Sequence, residues 1–137
     1  MRIFIDGFNL LHSVVLKKEN RSRWWSVHQQ LRVIELVSSF SPPPAFKGHS
    51  VEFEKLEIVF DASSSRSERA VLPLPFSQRI SLHYAPSADD WIVEQIKECA
   101  QPAMVVSADR PLTDRARHLG ALKIIPWQFS EYCSPGF

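Results

Sequence analysis

Three short apolar runs in this chain each drive into an aspartate. Ile3-Phe4-Ile5 ends at Asp6, Leu56-Glu57-Ile58-Val59-Phe60 ends at Asp61, and Ala103-Met104-Val105-Val106 passes through Ser107-Ala108 into Asp109. Short, nearly continuous apolar runs are the pattern of strands covered on both faces, as in a parallel sheet. Helical patterns separate them, so the strands must be joined by crossovers, and the chain reads as a layered α/β fold with right-handed connections. In an open α/β sheet, ligands and chemistry sit at the carboxyl ends of the strands. Three strands therefore bring three carboxylates to one edge, and the natural reason to gather carboxylates is to hold a hard divalent cation.

The spacing predicts strands at about Ile3–Asp6, Leu56–Asp61, Arg79–Tyr84, Ala103–Val106 and Leu122–Ile125. In the third, Ile80, Leu82 and Tyr84 alternate with Arg79, Ser81 and His83, the mark of an exposed or edge strand. Helices are expected at about Trp24–Phe40, Ala88–Ala100 and Pro111–Leu119. The first keeps Val27, Leu31, Ile34 and Val37 on one face and is stopped by Pro42-Pro43-Pro44; the last stops at Gly120. The serine-rich stretch Ala62 to Arg69 reads as a loop, and a short aromatic tail closes the chain.

At 137 residues and 45% hydrophobic, the chain is expected to be a single domain over 1–137 with a real core. A net charge of +1 gives no general electrostatic case for nucleic acid, so any such case rests on local patches. The two cysteines, Cys99 and Cys133, lack metal-type spacing; Cys99 reads as a small core residue. No secretory signal and no run approaching the ~18 apolar residues of a membrane span is visible, so a cytoplasmic protein is expected. The four glycines, at 7, 48, 120 and 136, exclude a dinucleotide fingerprint and a P-loop. No Gly-x-Ser-x-Gly elbow and no helical zinc pair of histidines exists.

The acids differ in what else explains them. Asp6, at a strand end before a glycine break, is the strongest candidate, with Asn9 placed to orient it or to donate to a phosphate oxygen. In Ser87-Ala88-Asp89-Asp90-Trp91-Ile92, Ser87 reads as a helix N-cap. Asp89 falls on the helix face of Ile92 and Val93, where an acid is costly unless paired or metal-bound. Asp90 rotates away, and capping accounts for it. Asp109 competes with an N-cap role before Pro111. Asp61 competes with turn formation, and Asp114 with charge placed on a helix dipole.

The ordered set Asp6-Gly7-Phe8-Asn9, Phe60-Asp61-Ala62, Ser87-Ala88-Asp89-Asp90-Trp91-Ile92 and Val106-Ser107-Ala108-Asp109-Arg110, followed by Asp114-Arg115-Ala116-Arg117 and Gly120-Ala121, resembles the NYN domains, and more narrowly the YacP-like branch of the PIN-like nucleases. The likeness runs from about Met1 to Trp127. It implies a single three-layer α/β/α domain with a central, mainly parallel sheet, and a metal-dependent endoribonuclease. The positions that match are Asp6, Asn9, Asp61, Asp89, Asp90, Asp109 and Asp114. The short serine-rich segment after Asp61 departs from that pattern.

On this reading one or two Mg²⁺ or Mn²⁺ ions would relieve carboxylate repulsion and support in-line attack on a phosphodiester. Asp6, Asp89 and Asp109 are the expected ligands, with Asp61, Asp90 and Asp114 in secondary or water-mediated roles and Asn9 assisting. Arg66, Arg69 and Arg110, with Arg115 and Arg117, are expected to meet RNA phosphates. Trp24 and Trp25 are expected either to stack bases or to pack the long helix on the sheet. RNA is the expected partner, with the ribosome or another protein as a possible director, no membrane, and a monomer or weak homo-oligomer as the state. The competing reading is a PIN-like module that binds RNA or a protein without cutting. A haloacid-type phosphatase is disfavoured because position 8 of its Asp-x-Asp motif is Phe.

Overall fold

A computed structural model describes residues 1–17, 19–43, 45–46, 48–50, 55–62, 68–72, 78–100 and 102–134. Strand β1, Arg2–Asp6, passes into a short helix α1, Gly7–Leu10, which continues as a π-helical turn over Leu11–Val15. Helix α2 covers Val27–Ser38. Strands β2, Ala45–Phe46, and β3, His49–Ser50, form a small antiparallel ladder. Then follow β4 at Leu56–Asp61, β5 at Ile80–Ala85, α3 at Ala88–Glu98, β6 at Ala103–Val106, α4 at Arg110–His118, β7 at Leu122–Ile124 and α5 at Pro126–Glu131.

Five strands make one fully parallel sheet in the order β5-β4-β1-β6-β7. The alternation of side chains sorts the core into two halves. Ile3, Ile5, Ile58, Phe60, Met104 and Val106 face the helical layer of α1, the π turn, α2 and α5, while Phe4, Val59, Ala103 and Val105 face α3 and α4. The domain is therefore the three-layer α/β/α sandwich with a central parallel sheet. β5, the strand read as exposed, lies at an edge. The order reverses at β1, with β4 on one side and β6 on the other, so the β1–β6 seam is the topological switch point. Among the described residues no helix is long and apolar enough to cross a membrane.

Several boundaries differ from the sequence reading. α2 begins at Val27, not Trp24, because Ser26 adopts an extended backbone and its Oγ accepts from the Gln29 N–H at 3.3 Å. Ser26-x-x-Gln29 has the capping-box spacing. Trp24 and Trp25 thus sit in the turn ahead of the helix. The stretch from Gly7 to Val15 is helical, although its dense apolar run carries no clean helical period; Leu10 and Leu11 are fully buried. α3 stops at Glu98, and Cys99 is half-buried and extended instead of core-helical. Ile125 caps α5 instead of ending a strand; Pro126 opens that helix, and its Phe129 stacks on Phe40 at 4.6 Å.

On the α3 face of the sheet, Arg2 forks onto Glu57 with contacts of 2.8 and 2.9 Å. His83 Nε2 lies 3.4 Å from Glu57 Oε1, in electrostatic contact but outside hydrogen-bond geometry. Burial works to raise the Glu57 carboxyl; His83 and Arg2 outweigh it and hold Glu57 below the usual carboxylate range. A lowered folded value means that this stabilisation is full above the ordinary glutamate pKa and is lost as pH falls through the folded one. Arg2→Met, which leaves Glu57 buried without its fork, should cost about 2–3 kcal/mol at pH 7. In urea titrations the gap from wild type should narrow below about pH 4 as Glu57 takes a proton. A gap that persists at low pH would assign the loss to packing of Arg2 over the Phe4 ring, 4.7 Å away.

Candidate active site

Four elements deliver carboxylates to one cleft at the carboxyl edge of the sheet. Its volume is about 440 Å³, and its acid wall is made of Asp6, Asp61, Asp89 and Asp109, with Asn9 beside them. Asp6 and Asp61 end β1 and β4, on the strand parity that faces α3 and α4. Asp89 and Asp109 arrive at the starts of those two helices.

The seam between β1 and β6 is stitched by short polar side chains. Asp6 caps α1: its Oδ1 accepts from the Asn9 N–H at 3.4 Å, and its Oδ2 accepts from the Ser107 hydroxyl at 3.3 Å. Ser107 Oγ also accepts the Asp109 N–H at 3.1 Å, and Asn9 Oδ1 accepts the Ala108 N–H at 2.8 Å. Ser107 is fully buried and was not singled out in the sequence. Its only signal there is a small polar residue following a strand, because the role exists only once β1 and β6 are neighbours. Asp109 caps α4 by accepting from the Leu112 N–H at 3.2 Å, so its capping and cleft positions coexist. Ser87 caps α3 through the Asp90 N–H at 3.2 Å.

The electrostatics follow from this crowding. Burial, then the Asp89 charge, push the Asp6 carboxyl up to about 6; the Asn9 and Ser107 hydrogen bonds oppose the rise, and Asp109 adds to it. Asp89 is also raised, by burial first and then by Asp109, with Arg115 opposing and Asp61 and Asp90 adding.

Not every expected residue joins the cluster. Asp90 is exposed and bonds Arg115 at 2.9 Å, as its place on the helix wheel suggests. Asp114 lies in a separate hollow between α3 and α4, with Val93, Lys97 and His118. It is on the solvent side of α4, opposite buried Leu112 and Ala116, which is why it cannot reach the strand edge. Of the basic residues, Arg110 and Arg117 are exposed on α4, and Arg110 directly follows Asp109. Arg69 sits over the Tyr84 ring at 5.2 Å. Neither Arg69 nor Arg110 lines the cleft. Arg66 lies outside the described residues.

The rest of the cleft lining is largely aromatic: Phe8, His12, Trp24 and Trp25. Trp24 lines the cleft and also packs against the core cluster that holds the buried face of α2, the packing role expected for at least one of the pair. Among the described residues, no group of three or more His, Cys, Asp or Glu side chains is already arranged to hold a metal ion. The donor set suits a hard cation in chemistry: all are carboxylates, and the repulsion that adds to burial in raising Asp6 and Asp89 is what a divalent charge would relieve.

No family model matches the chain, and no curated protein matches it. Among solved structures, a crystal structure of a single-site mutant of Rae1 (YacP) from Bacillus subtilis aligns with a TM-score of 0.61, over 95% of this chain and 72% of that chain, at 16% identity. The chain has the YacP fold. The motifs that resemble the YacP-like branch are therefore carried on the fold of Rae1 (YacP). At that identity it is the fold that is shared.

Proposed function

We propose that this chain is a metal-dependent endoribonuclease of the cytoplasm that hydrolyses RNA phosphodiester bonds in the Asp6 cleft. The observation that carries this reading is Asp6: a carboxyl buried beside other carboxyls and pushed up to about 6, at the strand edge where α/β folds do chemistry. Asp6, Asp89 and Asp109 would hold Mg²⁺ or Mn²⁺, with Asp61 at the cleft mouth. Bound there, the cation would supply a Lewis acid toward the scissile phosphate and its attacking water. The protein's own groups do the rest. Asn9 and Ser107 fix the Asp6 rotamer, so its two oxygens are aimed before substrate arrives. Arg110, exposed and next to Asp109 in the chain although outside the cleft lining, would meet a phosphate flanking the one that is cut.

One observation favours a second reading. Among the described residues the acids are not already spaced as a metal site, as befits a module that binds RNA or a protein without cutting it. Cleavage of labelled single-stranded and structured RNAs, with Mn²⁺, Mg²⁺ or EDTA, separates the two. The expected result is cleavage that needs the metal and falls on the order of 100-fold or more in Asp89→Asn and Asp109→Asn. RNA left intact by wild type but still bound would establish the binding module. Mn²⁺ should also raise the melting temperature of wild type, since a ligand of the native state stabilises it.

A further inference from the structure

The aromatic wall of the cleft is held in place from several sides. Trp24 meets Phe8 edge-to-face at 4.9 Å and His12 at 5.1 Å. Gln30, 1% exposed, donates through Nε2 to the carbonyls of Trp25 and Glu68, each at 2.9 Å. The Arg21 guanidinium donates to the carbonyls of Lys17 at 2.9 Å and His12 at 3.3 Å, and lies 3.4 Å from His12 Nδ1. On either side of Arg21 the chain bends at Lys17 (φ 45°) and Arg23 (φ 53°), a conformation that non-glycine residues keep only when their surroundings compel it.

Two chemical features result. Trp24 and Trp25 stand at 90° with centroids 5.7 Å apart, forming a corner in which a flat group stacked on one indole abuts the other. Arginine has donors and no acceptor, so with a guanidinium N–H toward Nδ1 the His12 proton sits on Nε2. Burial and the Arg21 charge hold His12 below its ordinary value, which keeps the ring neutral at pH 7. The wall thus combines a stacking surface with one fixed N–H donor, in the same cleft as the carboxylates.

We propose that this wall is a nucleobase subsite, in which an unpaired base stacks in the Trp24–Trp25 corner while His12 Nε2–H donates to an acceptor on the base edge. The proposal rests on the ribonuclease reading and states what the cleft selects: a nucleotide free of pairing beside the bond to be cut. A base inside a duplex is stacked on its neighbours and cannot enter the corner without being extruded. Stacking tolerates every base, so the preference among bases comes from His12. Arg21 is a positioning residue, acting through the tautomer that it imposes.

The test is binding of short single-stranded RNAs in EDTA, scanned one position at a time with an abasic nucleotide and followed by anisotropy, beside cleavage of the same RNAs with Mn²⁺. One position is expected at which loss of the base weakens wild-type binding roughly tenfold or more. Trp25→Leu should erase that difference and Trp25→Phe should keep most of it, with melting curves confirming that both fold. Arg21→Met, which removes the donor facing Nδ1, should retain the abasic penalty but flatten the preference among bases, and the His12 ¹⁵N shifts should move from a single Nε2–H form to a tautomer mixture. If every abasic RNA binds as tightly as its parent while cleavage persists, the subsite is overturned and the nuclease stands. If RNA is neither bound nor cut, both fall, and a protein side chain becomes the occupant to seek.

Discussion

Asp6→Asn should abolish RNA cleavage and, in the same protein, raise stability above neutral pH. The folded Asp6 carboxyl sits at about 6, well above its ordinary value. A raised folded value means that the native state holds its proton more tightly than the unfolded chain. The favourable contribution is complete below the unfolded value, near pH 4, and is lost as pH rises through 6. At pH 8 the ionised group therefore opposes folding by on the order of 2–3 kcal/mol, which the neutral amide removes. For a domain of this size that is a rise of several degrees in melting temperature at pH 8, absent at pH 4. Thermal melts of both proteins across that range check it, and equal stability at pH 8 would show that Asp6 carries no stored repulsion. Mn²⁺ should narrow the difference from the other side, stabilising wild type and leaving Asp6→Asn nearly unmoved. Such an exchange of stability for function is common at sites built to hold a charge.

Gly7→Ala should be among the most damaging of the small substitutions available in this chain. A Cβ at Gly7 would lie 2.5 Å from Phe60 Cε1 and 2.6 Å from its Cδ1. The Phe60 ring cannot swing away. It is fully buried, with Phe8 at 4.8 Å and Tyr84 at 5.7 Å. The glycine is needed here for close approach, not for an unusual backbone angle. Overpacking of this kind costs about 2–3 kcal/mol. Phe60→Leu, itself destabilising, makes room, so the double variant should lose less than the two single losses combined, by about 1 kcal/mol or more. Denaturant titrations of the four proteins give the coupling directly. Simple additivity would mean that the strand end shifts instead of the ring. Gly7 lies between Asp6 and Asn9, so such a shift should depress cleavage even where the variant remains folded.

The fold was legible because the strands are buried on both sides. Leu56 to Phe60 and Ala103 to Val106 are apolar runs that few other structures accommodate, and each ends where the site begins. Asp89 was separated from Asp90 by its place on a helix wheel, and the structure places Asp89 in the cleft and Asp90 on Arg115. What stayed hidden depended on neighbours distant in sequence. Ser107 gains its role, and the Asn9 side chain its hold on Ala108, only when β1 and β6 lie side by side. The Trp pair was assigned to the helix whose apolar positions begin at Val27, and a single serine hydroxyl on the Gln29 amide makes that helix start only at Val27. Asp114 matched a motif, but its helix turns it away from the edge that the other acids share.

The acids on β1 and β6 ride on one rigid seam, since Ser107 ties Asp6 to the Asp109 amide and Asn9 grips Ala108. Asp89 comes from elsewhere, on a helix seated against the sheet by the apolar contacts of Ile92, Val93 and Ile96. The cleft thus has one side stitched by hydrogen bonds and another held by apolar packing, with the Asp90–Arg115 pair tying α3 to α4. Residues beneath that helix, far from any substrate, therefore set where Asp89 stands relative to the acids of the seam.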